Sequence, residues 1–223
     1  MRPQGSWGPG WHRGGSGGHL SRLPPLASAS VSGMPAEDRH PVSDLVTTSR
    51  TVVYSNRWIT VREDQTLRPD GSAGVYGVVH KADFVLIVPF ADGRFHLVEQ
   101  YRYPVGARYW EFPQGASEDS PDADPFLVAR AELAEETGLT AATLTPLGWL
   151  FPSYGFCDHG FHIMVATGLT PGEARPEPDE VGMRSEWFSE AAVWQLIADG
   201  KITDGHTVAA LGLFQHHRAA HGW

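Results

Sequence analysis

Three carboxylates, Glu132, Glu135 and Glu136, fall at spacings of three and four residues inside EFPQGASEDSPDADPFLVARAELAEETGL, residues 111–139. Those spacings put them on one face of a helix. Like charges so placed repel by roughly 0.2–0.5 kcal/mol per pair, and they lie toward the helix C-terminal half, where the macrodipole disfavours negative charge. The cluster is therefore either a solvated acidic face or a site for a hard divalent cation, which takes oxygen ligands of this kind. A metal ion at such a site can neutralise oxygens that repel an attacking hydroxide and can activate a water. Cys157 has no activating partner visible in the chain and is a poor candidate nucleophile. No histidine pair has zinc-like spacing and context: His159 and His162, at a strand entry, would face opposite sides, and His216-His217 resemble a solvated helix end.

The element carrying the carboxylates has clear ends. Asp124 can cap the helix start, Pro125 suits its first position, and Gly138 followed by Leu139 suits a left-handed stop. Phe126, Ala129 and Leu133 form the apolar stripe that would seat it on a core. Upstream the chain is β-rich, with expected strands at 51–56, 58–62, 74–81, 84–90 (FVLIVPF, apolar enough to be buried on both faces) and 94–101 after an Asp92-Gly93 hairpin turn. Later strands are expected at 147–151, 161–166 and 183–188, and helices at 190–198 and 206–219. Many strands, one helix between them and more helix at the end imply an α+β fold with helices packed outside sheet layers.

The 223 residues suffice for one domain with a substantial core plus a tail. Residues 1–40 hold 8 Gly, 5 Pro and 6 Ser without sustained periodicity, a composition expected to remain disordered. We therefore divide the chain into a tail over 1–43 and a domain over 44–219. The tail has no continuous apolar core of a signal peptide; it is either a genuine flexible arm or sequence upstream of a true start at Met34. No run reaches the ~18–20 apolar residues of a membrane span. The formal net charge of −9 argues against a nucleic-acid surface, which needs clustered Lys and Arg. A single cysteine excludes an intramolecular disulfide and suits a reducing cytoplasm.

The central stretch resembles the Nudix hydrolase signature, G-x5-E-x7-R-E-U-x-E-E-x-G-U with U apolar. Gly115 opens it, and Glu132-Leu133-Ala134-Glu135-Glu136-Thr137-Gly138-Leu139 matches its close position for position. Three departures stand out: the loop is two residues longer, Ala131 replaces the Arg before Glu132 (Arg130 sits one earlier), and the loop Glu falls on Ala123 between Asp122 and Asp124. Flanking segments are similar to the ADP-ribose and nucleotide-sugar pyrophosphatase branch: Glu99 to Val105, Trp110 to Gly115, Phe151 to Phe156, Glu177 to Val181, and Gly200 to Asp204 with Thr207.

The resemblance implies the Nudix fold, an α/β/α sandwich around a mixed sheet with N-terminal antiparallel strands and C-terminal helices. It implies hydrolysis of a nucleoside diphosphate linked to a group X, with ADP-ribose the best single guess. By the same resemblance Glu132 and Glu136 are ligands of Mg²⁺ or Mn²⁺, Glu135 a further or water-mediated ligand with a catalytic role, and the Gln114 carbonyl an oxygen donor. Glu177 matches the general base, with Asp179 a possible extra ligand. Arg102 would neutralise a phosphate through its bidentate fork, Glu111 would hydrogen-bond base or ribose, and Trp110 and Tyr154 would stack on a base. Either Arg130 takes over from the absent Arg in orienting the carboxylates, or metal binding is looser. The related pyrophosphatases assemble as dimers through their N-terminal strands, and here Trp58, Val61, Val75 and Tyr76 give those strands apolar faces. Two other readings stay open: a nucleotide sensor that barely hydrolyses, suggested by Ala123 and Ala131, and a nucleoside triphosphate pyrophosphohydrolase. Survival of all three clustered glutamates favours the enzyme.

Overall fold

The computed structural model describes residues 45–117, 120, 122–175, 180 and 182–221; the expected tail, Glu177 and Asp179 lie outside the described residues. Two sheets organise the chain. The first is an antiparallel meander of β1 (Val46–Ser55), β2 (Thr60–Leu67) and β3 (Ala73–His80), in that spatial order. Both outer strands carry exposed apolar side chains, with Val52, Tyr54, Val75 and Tyr76 each about half-exposed, as is Trp58 in the first turn. β2 runs well past the expected 58–62 because its alternation is polar: Asp64 and Thr66 are buried while Glu63 is exposed. A period-2 pattern written in polar residues does not register as an apolar strand.

The second sheet is mixed. Its main path is β10 (Arg184–Ser189), β5 (Arg94–Arg102), β4 (Phe84–Ala91), β9 (Phe161–Pro171) and β8 (Leu139–Leu150). β6 (Ala107–Glu111) pairs with β5, and the two-residue β7 (Gln114–Gly115) pairs with β4. β4 and β9 are parallel, in register from Phe84↔Phe161 to Pro89↔Ala166. Between β4 and β5, Asp92 and Gly93 both take positive φ, 50° and 71°, the backbone that a two-residue hairpin turn requires. β8 was expected only at its end, 147–151; it starts directly after Gly138. Leu139, Ala141 and Leu144 point into the core and Thr140 and Thr143 outward, so small and polar residues masked an alternating strand. β6 was not expected at all, since its five residues include two charges.

Helices cover both faces. α1 (Pro125–Thr137) is capped as expected: the Asp124 carboxylate accepts from the Phe126 amide at 2.9 Å, and Gly138 closes it at φ 71°. Ala129 and Leu133 are buried against Val85 and Ile87 of β4, whereas Phe126 stays partly exposed. α2 (Glu190–Ala198) and α3 (Gly205–His221) cover the opposite face, where Ala210, Leu211 and Phe214 meet Leu86, Val88, Phe95 and Phe112. Alternate residues of β4 thus feed the two helix layers, which explains its unbroken apolar run. This is an α+β fold with helices on both sides of a mixed sheet. Among the described residues no helix is long and apolar enough to cross a membrane.

Candidate active site

A cavity of about 550 Å³ opens where β4 begins, between α1, the β5–β6 hairpin and the start of α3. Its acidic wall holds Glu111, Glu132 and Glu180, with Arg102, Gln114 and Gly115 beside them. β7 places Gln114 and Gly115 there by pairing with Leu86 and Val85. A Cβ built on Gly115 would collide with the Glu132 carboxylate, the mobile end of a long side chain, so a larger residue here would displace that carboxylate.

Glu136 is 3% exposed. Its Oε2 accepts from the Gln114 amide at 3.2 Å, while Oε1 has no hydrogen-bond partner among the described residues. Burial, reinforced by the charges of Glu180, Glu132 and Glu111 and partly countered by Arg102, pushes its carboxyl well above the usual range. An ionised carboxylate so placed is expensive unless a cation joins it. Among the described residues no group of three Asp, Glu, His or Cys side chains forms a closed metal cage. An Mg²⁺-type cation does not need one, because it keeps several waters and takes one or two carboxylates plus substrate oxygens. The orphaned Glu136 oxygen, the adjacent Glu132 and the oxygen chemistry of the set fit such an ion.

Arg102 and Glu111 form an ion pair through Nη2–Oε1 and a second bond, Nε to Oε2, at 3.3 Å. Gln100 donates to Glu111 Oε1 at 2.8 Å. Burial raises the Glu111 carboxyl, with Arg102 acting against it. For Arg102, burial lowers the pKa, but Glu111, Glu136 and Asp204 outweigh it and hold it raised. Asp204 anchors the other wall. It accepts from the Thr207 amide and hydroxyl, both at 2.8 Å, and pairs with His206 Nδ1 at 3.0 Å. Burial would raise its carboxyl, yet the bonds to His206 and Thr207 bring it down to about 2. Thr207 Oγ1 also accepts from the Phe112 amide at 2.9 Å, which ties α3 to the segment leading into Gln114.

Several expected residues therefore converge: Glu132, Glu136, Gln114, Arg102 and Glu111. Others do not. Glu135 is exposed and away from the cavity wall; its carbonyl accepts from the Arg175 amide at 2.8 Å. Trp110 is not a free stacking surface, since it is buried in the core against Phe188, ring centroids 4.8 Å apart. Tyr154 is 82% exposed and outside the cavity. Arg130 does not reach the carboxylates; its Nη1 donates to the Ala141 carbonyl at 2.7 Å, bracing α1 to β8. The cation whose charge acts on Glu136 is instead Arg102, from a hairpin far away in sequence. Lys81, His159, Glu180 and His206, which also line the cavity, were not singled out as site residues. Only the flanking segments that contain Glu180 and Asp204 pointed toward this wall.

Residues 80–211 match the model of the NUDIX domain, and residues 46–79 match that of the nucleoside diphosphate sugar hydrolase N-terminal domain. The chain belongs to the Nudix hydrolase family. The boundary between the two matches falls at the end of β3, so this Nudix hydrolase carries its exposed meander as a module before the catalytic domain. It is 31% identical over 182 residues to an ADP-ribose pyrophosphatase of Mycobacterium tuberculosis, covering 81% of this chain and 86% of that protein. An ADP-ribose pyrophosphatase of Bacillus subtilis is 30% identical over 173 residues, covering 76% and 91%. A crystal structure of an ADP compounds hydrolase superimposes with a TM-score of 0.71 at 22% identity, covering 82% of this chain and 99% of that one, a likeness of fold.

Proposed function

We propose that this Nudix hydrolase cleaves the diphosphate linkage of a nucleoside diphosphate joined to a group X, with ADP-ribose the best single candidate and AMP and ribose 5-phosphate the products. The observation that carries the reading is the buried Glu136 carboxylate, one oxygen unpartnered, facing the charges of Glu132, Glu180 and Glu111 with Arg102 close by. Relatives named ADP-ribose pyrophosphatase support the choice of substrate.

In this reading Glu132, Glu136 and the Gln114 carbonyl would hold Mg²⁺ or Mn²⁺, with Glu135 a further or water-mediated ligand. The bound ion supplies neutralisation of diphosphate oxygens and a lowered pKa for water. The Gln114 amide orients Glu136 through the 3.2 Å bond to Oε2. Arg102, held by Glu111 from behind, turns its remaining N–H groups to a phosphate oxygen. Glu177 takes the proton from the attacking water as general base. A homodimer joined through the β1–β3 meander covers Val52, Tyr54, Trp58, Val75 and Tyr76, and its two-fold symmetry lets each subunit complete the other's substrate site. Tyr154 then contributes to that shared wall. The acidic surface and the single cysteine suit a cytoplasmic enzyme that binds a small nucleotide rather than nucleic acid or membrane. A panel of nucleoside diphosphate-X compounds assayed with Mg²⁺ or Mn²⁺ tests the reading: monophosphate release from diphosphate-sugars supports it, and release only from triphosphates overturns it.

A further inference from the structure

The cavity has a second polar group, separate from the carboxylates. Lys81, at the β3–β4 connection, and His159, just before β9, both line it next to Phe84. The His159 ring lies 6.3 Å from the Phe84 ring, centroid to centroid. Its Nδ1 is buried without a hydrogen-bond partner among the described residues. A buried N–H left unpaired costs more than a bare ring lone pair. The neutral ring therefore keeps its proton on Nε2, as a donor. Burial, aided by the Lys81 charge and partly countered by Asp83 and Asp158, lowers the His159 pKa, so the imidazole acts as a neutral donor beside a cation.

The neighbouring carboxylates are each engaged by other groups. Asp83 accepts from Trp149 Nε1 at 2.9 Å and from the Gly160 amide at 2.7 Å. Asp158 is engaged by Arg62 at 2.9 Å and by His80 Nδ1 at 3.0 Å. Asp204 is committed to His206 and Thr207. Among the described residues no carboxylate lies within ion-pair distance of Lys81. An ammonium beside an N–H donor calls for a ligand made of acceptors.

We propose that Lys81 and His159 form an oxyanion subsite that binds a phosphate group of the ligand, away from the Glu132–Glu136 cluster. The chemistry has two sources: the substrate's own second phosphate, or an additional phosphate carried on the nucleoside or on X. The proposal rests on the diphosphate reading above only for the choice of substrate, so its first test needs neither metal nor turnover. Inorganic phosphate is titrated in EDTA while the His159 imidazole resonance, assigned by its loss in His159→Gln, is followed by NMR. Saturable movement of that resonance is expected. In Lys81→Met the dissociation constant should rise about tenfold or more, the loss of one charge-assisted hydrogen bond. No saturable movement, or equal affinity in Lys81→Met, overturns the proposal.

The second arm compares kcat/KM for ADP-ribose and for ADP-ribose 2′-phosphate in wild type, Lys81→Met and His159→Gln. Equal losses on both compounds assign the subsite to the diphosphate itself, and loss on the phosphorylated compound alone assigns it to an extra phosphate. Unchanged values on both overturn it. A wild type that binds phosphate at His159 yet hydrolyses neither compound leaves the subsite standing and counts against the substrate reading instead.

Discussion

Replacing Glu136 by Gln keeps side-chain size and helix propensity while deleting one charge. Two opposite effects follow. Without metal, the native carboxylate is held at a site where burial and three neighbouring glutamates disfavour ionisation. A group whose folded pKa is raised costs stability once pH exceeds its unfolded value near 4.5, and the cost grows until the folded pKa is passed. At pH 8 the metal-free variant should therefore be more stable than wild type, by about 1–3 kcal/mol on the scale of an unsatisfied buried polar group. For a domain of this size that is about 3–10 °C in Tm. The stability advantage should shrink as pH falls toward 4.5. Turnover should drop about 10²–10⁴-fold, roughly 3–5 kcal/mol of barrier. Calorimetric melts with EDTA and with Mg²⁺, beside initial rates on ADP-ribose, give both readouts; Mg²⁺ should raise the wild-type Tm and leave that of the variant nearly unmoved. A variant that melts lower than wild type without metal, or keeps near wild-type turnover, would refute the reasoning.

Other substitutions separate structure from chemistry. Arg130→Ala removes the bond to the Ala141 carbonyl and should cost about 0.5–1.5 kcal/mol in denaturant unfolding, with the Mg²⁺ activation constant unchanged; a shift in that constant would restore Arg130 to the metal site. Gly115→Ala should lower kcat by about tenfold or more, since about 1.4 kcal/mol of misplacement of the Glu132 carboxylate suffices for that, and a normal kcat would mean that the Gly115–Glu132 approach is not used. Deleting residues 1–40 should leave the dimer intact by light scattering, whereas Tyr54→Lys combined with Tyr76→Lys on the exposed meander should yield monomer with impaired activity. A fully active monomer from either change would contradict the shared site.

The helix bearing the carboxylates was legible because its ends are chemical: Asp124 caps, Pro125 starts and Gly138 stops it. The unbroken apolar run of β4 was equally plain, since it is buried on both sides. β2 and β8 were underread because their inward residues include Asp64, Thr66 and Ala141, which carry little apolar signal. In the site, local spacing sufficed for Glu132 and Glu136, which one helix presents together. It misled for Arg130, whose nearness in sequence to Glu132 does not place its guanidinium near the carboxylates. What distant strands bring together had no local pattern: Arg102 facing Glu136, Asp204 fastened to the Gln114 segment through Thr207, and Lys81 beside His159 depend on hairpin and helix placement.

The central claim, metal-dependent cleavage of a diphosphate by the Glu132–Glu136 site, is tested most directly by product analysis on ADP-ribose. Purified enzyme with Mg²⁺ should release AMP and ribose 5-phosphate in equal amounts, EDTA should abolish the release, and Glu136→Gln should cut it about 10²–10⁴-fold. Equal turnover with and without EDTA, or products other than this pair, would contradict it.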